Sequence, residues 1–162
     1  MWRLAAEQGD AKAQFNLGSA YYFGKGIDED KAEAAKWWRL AAEQGDAKAQ
    51  FNLGSAYYYG RGVNEDKAEA VKWDRLAAEQ GHAKAQNNLG SAYYFGRGVN
   101  EDKTESVKWW RLAAEQGHAK AQFNFGSAYY YGEGVNEDKA EAAKWWRLAA
   151  DQGHAEAILK LK

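Results

Sequence analysis

The sequence predicts an all-α solenoid, in which helices stack in series as copies of one repeated unit. A 36-residue unit, Asp46 to Gly81, recurs in register along a chain of 162 residues, and self-similarity at such a period is the signature of a solenoid. Each copy holds two segments with helical hydrophobic periodicity. Glycine-rich stretches separate these segments, and the chain contains no proline, so glycine carries every turn.

The repeat defines the domain organisation. Four complete units cover residues 10–45, 46–81, 82–117 and 118–153, and partial units occupy residues 1–9 and 154–162. We expect one solenoid domain over residues 1–162, because each unit of a solenoid contacts mainly its neighbours. Two helices per unit give about ten helices in all, with a truncated helix at either end.

The first segment of each unit predicts a helix of about 14 residues. In the unit that begins at Asp46, its apolar residues recur at i, i+4, i+7 and i+8 and are Ala49, Leu53, Ala56 and Tyr57. This spacing forms one apolar stripe on a helix. The Gly-x-Gly element that follows, Gly60 to Gly62, lets the chain reverse tightly.

The second segment predicts another helix, with signals at both ends. Its apolar residues fall at i, i+3 and i+7 and are Ala70, Trp73 and Ala77. Asp66 and Glu69 have the spacing of a capping box at the helix start. Glycine, which accepts positive φ, ends the second helix of every unit, at Gly45, Gly81, Gly117 and Gly153.

A family resemblance rests on these motifs. The pattern LGSAYYYGRGV, followed by Asp66, Ala70, Trp73 and AAEQG, resembles the Sel1-like repeat, a relative of the tetratricopeptide repeat, over the whole chain. The resemblance implies antiparallel helix pairs in a right-handed superhelix, with the first helices on the concave face. It also implies protein or peptide binding as the usual role, and it puts one tryptophan per unit in the core between helices: Trp37, Trp73, Trp109 and Trp145. We expect Trp38, Trp110 and Trp146 to join the same layer.

Composition excludes several broad classes of partner. The formal net charge of -1 removes a general electrostatic case for nucleic acid or an anionic membrane. There is no cysteine, and no apolar run approaches the roughly 20 residues of a membrane span. No signal peptide is visible after Met1. The compartment stays open, since a chain without cysteine suits the cytoplasm or the periplasm.

Simpler explanations account for the residues that could suggest a phosphate site, a metal site or a catalytic site. Acidic residues follow each Gly-x-Gly element and would repel a phosphate, so a tight turn explains the glycines better. The histidines share one repeat position, an N-cap, about 10 Å from one copy to the next, too far to share a metal: His82, His118 and His154. The serine of each unit has no evident general base on its helix face. We expect no catalysis, no cofactor and no metal.

The first helix of each unit carries a second, polar face, and this is the candidate binding site. Lysine, asparagine and serine recur there at i, i+4 and i+7, away from the apolar stripe. The residues are Lys12, Asn16, Ser19, Lys48, Asn52, Ser55, Lys84, Asn88, Ser91, Lys120, Asn124 and Ser127. An asparagine amide both donates and accepts, so a row of them suits the backbone of an extended peptide, and the lysines favour an acidic partner. Two alternatives remain: solvated polar positions, or asparagines that fix a neighbouring helix.

One pair of residues breaks the repeat. Asp74 stands where the other units have tryptophan, and Asn87 stands where they have phenylalanine. Counted outward from Gly81, antiparallel helices would bring these two positions face to face. A large aromatic side chain lost from a core costs roughly 3–5 kcal/mol, so we hypothesise a selected or engineered polar notch on the groove. One mutual hydrogen bond, tolerated at some loss of stability, is the simpler alternative.

These observations predict a non-enzymatic scaffold or adaptor that binds a protein or peptide segment in its concave groove. The near-identity of the units also fits a designed or purely structural array. A third hypothesis is end-to-end assembly into a homo-oligomer, because the truncated terminal helices leave apolar residues such as Trp2 and Leu161 poorly covered.

Overall fold

The computed structural model describes residues 2–162 and contains, within that range, ten α-helices and no strand. The helices are α1 (Trp2–Glu7), α2 (Ala11–Phe23), α3 (Lys31–Glu43), α4 (Ala47–Tyr59), α5 (Lys67–Glu79), α6 (Ala83–Phe95), α7 (Lys103–Glu115), α8 (Ala119–Tyr131), α9 (Lys139–Asp151) and α10 (Ala155–Lys160). The first helix of a complete unit has 13 residues, close to the predicted 14. The all-α class and the shortened terminal helices are confirmed, since α1 and α10 have 6 residues each.

The helices form two compact units, one up to His82 with α1–α5 and one from Ala83 to Lys162 with α6–α10. Inside each unit, every helix packs against the helices before and after it in sequence. That series of neighbour contacts is the packing of a solenoid. A single domain over residues 1–162 and a right-handed superhelix remain predictions.

Neighbouring helices run antiparallel, as the resemblance implied. In the first unit, the Asp30 N–H at the start of α3 donates to the Tyr21 carbonyl near the end of α2, at 2.9 Å. Farther from this turn, Gly18 of α2 lies against Ala34 and Trp38 of α3. The end of α2 therefore lies beside the start of α3, and the two helices run in opposite directions.

The cores consist mainly of alanine, and larger side chains fill the gaps. Around α3 and α4 the buried cluster is Ala34, Ala35, Trp38, Ala41, Ala42, Ala49 and Leu53. In the second unit it is Val107, Trp110, Ala113, Ala114, Ala121, Phe125 and Ala128. Both predicted apolar stripes are thus confirmed: Ala49 and Leu53 of the first, like Ala77 of the second, have no exposed surface.

The tryptophan pairs divide their roles differently from the expectation. The deeply buried indoles are the second of each pair, Trp38, Trp110 and Trp146, which are 3–4% exposed. The first of each pair, expected in the core, is only half-buried, and three of them donate from Nε1 to a glutamate of their own helix: Trp73, Trp109 and Trp145. The deeper indole fits because it lies across a glycine of the facing helix, at Gly18, Gly90 and Gly126.

Only half of the predicted capping box forms. The Asp66 side chain accepts from the Glu69 N–H at 2.9 Å, which confirms the N-cap. The reciprocal bond is replaced, because the Asp66 N–H donates to the Tyr57 carbonyl. The Glu69 carboxylate accepts instead from Lys72 at 2.9 Å and from Trp73 at 3.1 Å.

The glycine turns adopt the predicted backbone. Gly60 and Gly62 have φ of 64° and 77°, and Gly81 after α5 has φ of 86°. A Cβ atom on Gly62 would also overlap the carbonyl of Lys31 at the start of α3. The Gly-x-Gly turn of one repeat therefore packs against the helix start of the repeat before it.

Candidate functional site

The residues predicted for binding lie on the first helices of the repeats, α2 and α4 in the first unit and α6 and α8 in the second. We call this set of lysines, asparagines and serines the polar face. Its lysines are exposed, whereas its asparagines and serines are half-buried beside the core. The three residue types have different surroundings, so each is described in turn.

Three of the four asparagines are not used by the fold. The side-chain amides of Asn16, Asn52 and Asn88 form no hydrogen bond with any other residue that the structure describes. The fourth, Asn124, donates from Nδ2 to Oδ1 of Asn87 at 3.2 Å. Half-buried amides of this kind keep donor and acceptor capacity for another molecule.

The glutamine two positions before each of these asparagines fixes the neighbouring helices instead. Gln50 is 4% exposed, and its Nε2 donates to the Ala42 carbonyl of α3 at 3.1 Å. Its Oε1 accepts from Gln80 at 2.8 Å. The same pair of bonds recurs at Gln14 and Gln122. These glutamines were missed in the sequence analysis, although glutamine recurs at this position of the first helix in all four complete units.

The serines of the polar face are occupied by the core. Ser19 Oγ donates to the Phe15 carbonyl at 2.9 Å and lies 3.4 Å from the Trp38 Nε1 that donates to it. The same two bonds occur at Ser91 and Ser127. Ser55 lies in the repeat of residues 46–81, where Asp74 replaces the second tryptophan, so this repeat has no indole at that position to donate to Ser55. Ser19, Ser91 and Ser127 therefore hold the indoles in position and offer less to a ligand than the asparagines.

The two residues that break the repeat are both buried. Asp74, in the first unit, is 6% exposed, and its Oδ1 lies 3.1 Å from the place of a Cβ on Gly54, where other repeats have an indole. Asn87, in the second unit, is 4% exposed and accepts the bond from Asn124. A side chain of the polar face therefore contacts Asn87.

A pocket of about 100 Å³ opens beside the polar face of the first unit. Six of its lining residues are Tyr22, Phe23, Trp38, Asn52, Ser55 and Arg61. The Arg61 Nη1 donates to the Tyr22 hydroxyl at 2.9 Å, and the guanidinium lies 4.7 Å from the centre of the Tyr59 ring. Sequence reasoning did not find this arginine, because its tyrosine partner is 39 residues away.

The second unit carries the opposite charge at the matching position. Glu133 occupies the repeat position that Arg61 has in the first unit. Its carboxylate accepts hydrogen bonds from the Tyr94 hydroxyl and from Lys103 Nζ, the latter at 2.7 Å. These hydrogen bonds, the one from Lys103 foremost, hold the pKa of Glu133 below its usual value. Burial, with the bond to Glu133 second, raises the pKa of Tyr94 to about 12.

The histidines act as helix caps where their contacts are described. His118 Nδ1 accepts from the Ala121 N–H at 3.2 Å, and His154 Nδ1 accepts from the Ala157 N–H at 3.4 Å. Over residues 2–162, no group of three or more His, Cys, Asp or Glu side chains could hold a metal ion. In the same range, no helix combines the length and apolarity needed to cross a membrane.

Comparison with known proteins gives a consistent result. The model of the Sel1 repeat matches residues 11–46, 47–82, 83–118 and 119–154. A protective antigen present in uropathogenic Escherichia coli strains, which displays an SLR fold, shares 46% identity at a TM-score of 0.95. That match covers 99% of this chain and 34% of the antigen. Among curated proteins, no match was found.

Two further solved structures extend the comparison. A Sel1 repeat protein from Oxalobacter formigenes shares 41% identity at a TM-score of 0.89, over 95% of this chain and 63% of that one. The cysteine rich protein B of Helicobacter pylori shares only the fold, with 21% identity and a TM-score of 0.63 over 80% of this chain and 93% of that one. The chain thus spans about a third of the first relative and under two-thirds of the second. With four matched repeats that cover most of its length, the chain belongs to the Sel1 repeat family.

Proposed function

We propose that this chain is a non-enzymatic scaffold that binds an extended peptide or protein segment along the polar face of its first helices. Proteins built from Sel1 repeats are generally protein-interaction scaffolds without enzymatic activity. The observation that carries the proposal is the spare hydrogen-bonding capacity of Asn16, Asn52 and Asn88, which bond to no described residue. Since the neighbouring glutamines already fix the helices, the asparagines are available to the backbone of a partner.

The lysines of the polar face favour an acidic partner. Lys12, Lys48, Lys84 and Lys120 are exposed at the starts of the first helices. None of them forms an ion pair with another residue in the described range. By contrast, Lys36, Lys72, Lys108 and Lys144 on the second helices each pair with a glutamate of their own helix. The unpaired row offers its full charge to Asp, Glu or a terminal carboxylate.

A selection from a displayed library of random peptides tests the proposal. The parent chain is compared with a variant carrying alanine at Asn16, Asn52, Asn88 and Asn124. The control carries alanine at Lys36, Lys72, Lys108 and Lys144, four exposed residues on the second helices. We expect the parent and the control to enrich the same peptides and the asparagine variant to lose them while it keeps its helical circular dichroism. Equal enrichment by all three chains would mean that the polar face does not bind.

Asp74 and Asn87 enter the proposal as two buried polar positions, each of which adds to partner binding. Each is buried in its own unit at a position where the repeat has an aromatic side chain. The double variant Asp74→Trp with Asn87→Phe restores the repeat. We expect it to be more stable and to bind the selected peptides more weakly. Higher stability with unchanged binding would leave these two polar residues without a function.

Self-association is a second candidate function, because both terminal helices expose apolar side chains. Leu4 of α1 and Leu159 of α10 are each 66% exposed, and Trp2 is 51% exposed. Contacts between unlike ends propagate rather than close. Light scattering over a concentration range would show a mass that rises with concentration if the chain assembles, and a constant monomer mass if it does not.

A further inference from the structure

The pocket beside the polar face of the first unit combines an aromatic side with a polar side. Tyr22, Phe23 and Trp38 supply the rings, and Asn52 lies across from them on α4. Trp38 is 3% exposed and Tyr22 is half-buried, so these two rings are held by the core, whereas Phe23 is 61% exposed and lies at the rim. A volume of about 100 Å³ is that of about three water molecules at ~30 Å³ each, or of one leucine-sized side chain.

Charged groups of both signs surround this pocket. Three positive groups stand near its aromatic rings: Lys25 Nζ is 5.3 Å from the Phe23 ring centre, Lys31 Nζ is 5.9 Å from the Tyr22 ring centre, and Arg61 Nη1 donates to the Tyr22 hydroxyl. Among the described ion pairs, Glu29 is the one carboxylate bound to these groups, at 3.0 Å from Lys31. The same turn also carries Asp28 and Asp30, so the charges around the pocket balance. Among the residues that line the pocket itself, however, Arg61 is the one charged side chain, and it favours an anionic group there.

Arg61 has donors to spare for such a partner. A guanidinium carries five N–H donors in a planar fork that suits a carboxylate, and the described bond to Tyr22 uses one of them. The side chain is exposed, and stacking on the Tyr59 ring steadies it. A carboxylate can therefore reach Arg61 without displacing its bond to Tyr22.

The matching position of the second unit has no arginine, so it can be compared with the surroundings of Arg61 in the first unit. There Glu133 replaces the arginine, and Lys103 and Tyr94 both bond to its carboxylate. The lysine is neutralised, and an incoming carboxylate would meet a negative charge. The preference for an acidic ligand is therefore a property of the first unit.

We propose that this pocket, named the Arg61 pocket after its rim residue, binds an acidic peptide segment through one leucine-sized aliphatic side chain. The aliphatic group packs on Tyr22 and Trp38, and an Asp or Glu beside it in the peptide pairs with Arg61. The amide of Asn52 bonds to the peptide backbone between the two groups. The inference rests on the proposed function, since it names the class of peptide that the polar face takes in the first unit.

The test starts from the same displayed library and ends with synthetic peptides. We expect the peptides enriched on the parent chain to share an aliphatic residue next to Asp or Glu. The most enriched sequence is then synthesised in three forms: unchanged, with serine for the aliphatic residue, and with lysine for the adjacent acid. Dissociation constants are measured by fluorescence polarisation on the parent, on Arg61→Glu and on the control Glu133→Gln.

The Arg61 pocket predicts a pattern over these measurements. The Arg61→Glu variant should weaken the unchanged peptide about tenfold or more and should bind the lysine form better than the parent does. Glu133→Gln should leave all constants unchanged. The Arg61→Glu variant is expected to fold, because the Arg61 side chain is exposed and glutamate already occupies the matching position at Glu133. The serine form should bind the parent about tenfold more weakly, because it lacks the buried aliphatic group.

The contrary outcomes separate the two claims. Enriched peptides whose affinity depends on the four asparagines but not on Arg61 would overturn the Arg61 pocket and leave the proposed function standing. Enriched peptides without acidic residues would also overturn it. A library from which nothing is enriched would contradict the proposed function and the Arg61 pocket together.

Discussion

The glycine in the middle of each first helix should be required only where an indole lies across it. In the first unit, a Cβ on Gly18 would lie 2.6 Å from Cδ1 of Trp38 and 3.0 Å from the Ala34 carbonyl oxygen. In the next repeat, where Asp74 replaces tryptophan, a Cβ on Gly54 would lie 3.1 Å from its Oδ1. The two repeats therefore supply a matched pair of glycines that differ in what faces them.

The expected change in the free energy of unfolding is the difference between a gain in helix propensity and the cost of steric overlap with the indole. Alanine in place of glycine inside a helix gains about 1 kcal/mol of helix propensity at both positions. At Gly18 the indole would have to move by about 1 Å to restore carbon–carbon contact of about 3.5 Å, and such overpacking costs about 1–3 kcal/mol or more. The Ser19 bond and the adjacent Tyr22 ring, with its centre 5.0 Å from that of Trp38, resist the movement. With an overpacking cost near the upper end of this range and the propensity gain subtracted, we expect Gly18→Ala to lose about 1–2 kcal/mol and Gly54→Ala to change stability by less than about 1 kcal/mol.

Urea denaturation followed by far-UV circular dichroism measures both variants. Gly90→Ala and Gly126→Ala serve as positional controls and should behave like Gly18→Ala, since Cδ1 of Trp110 and Trp146 would lie 2.5 and 2.7 Å from the new Cβ atoms. In an Asp74→Trp background, Gly54→Ala should become as costly as the others. Equal effects at all four glycines in the parent chain would refute the reasoning, because the cost would then not come from the indole.

Three further predictions concern single contacts, and the same denaturation assay checks each. Ser106→Ala should stabilise the chain by about 1 kcal/mol, because the Ser106 hydroxyl is fully buried and has no hydrogen-bond partner among residues 2–162. Gln50→Ala should cost about 1–3 kcal/mol and Asn52→Ala less than about 0.5 kcal/mol, since only the glutamine bonds to neighbouring helices. Because Glu133 has a lowered pKa when folded, its stabilisation of at most about 1 kcal/mol should be present near pH 7 and lost as the pH falls below about 4. A difference in the free energy of unfolding between the parent and Glu133→Gln that persists at pH 3 or is absent at pH 7 would contradict this.

Most of the fold was predictable because it depends on local patterns. Repeat length, the apolar stripes and the cap residues are properties of short stretches, and a one-dimensional array propagates each local feature along the chain. Asp74 and Asn87 stand where other units have an aromatic residue, and both are buried, while their position face to face stays a prediction. The burial of the tryptophans was not predictable from local patterns. Both residues of a pair are compatible with the second helix, and the glycine of the facing helix decides which indole is more deeply buried.

The site was predictable only in part. Gln50 and Asn52 are two residues apart, so they point in different directions from α4, but both are polar and both recur. Which of them bonds to a neighbouring helix depends on packing that the pattern does not specify. Arg61 was out of reach for the same reason, since its bond to Tyr22 joins two repeats across 39 residues.

The most direct test of peptide binding along the polar face is an NMR titration of the side-chain amides with a peptide selected on the parent chain. The amides of Asn16, Asn52 and Asn88 should shift strongly, while the buried amide of Gln50 serves as the internal control and should not. The prediction is met if the shifted side-chain amides lie on the polar face and the peptide causes no backbone amide shifts in the four-asparagine alanine variant. Shifts confined to the second helices, for instance around the exposed Leu76, would place the partner on the wrong surface and contradict the proposed function.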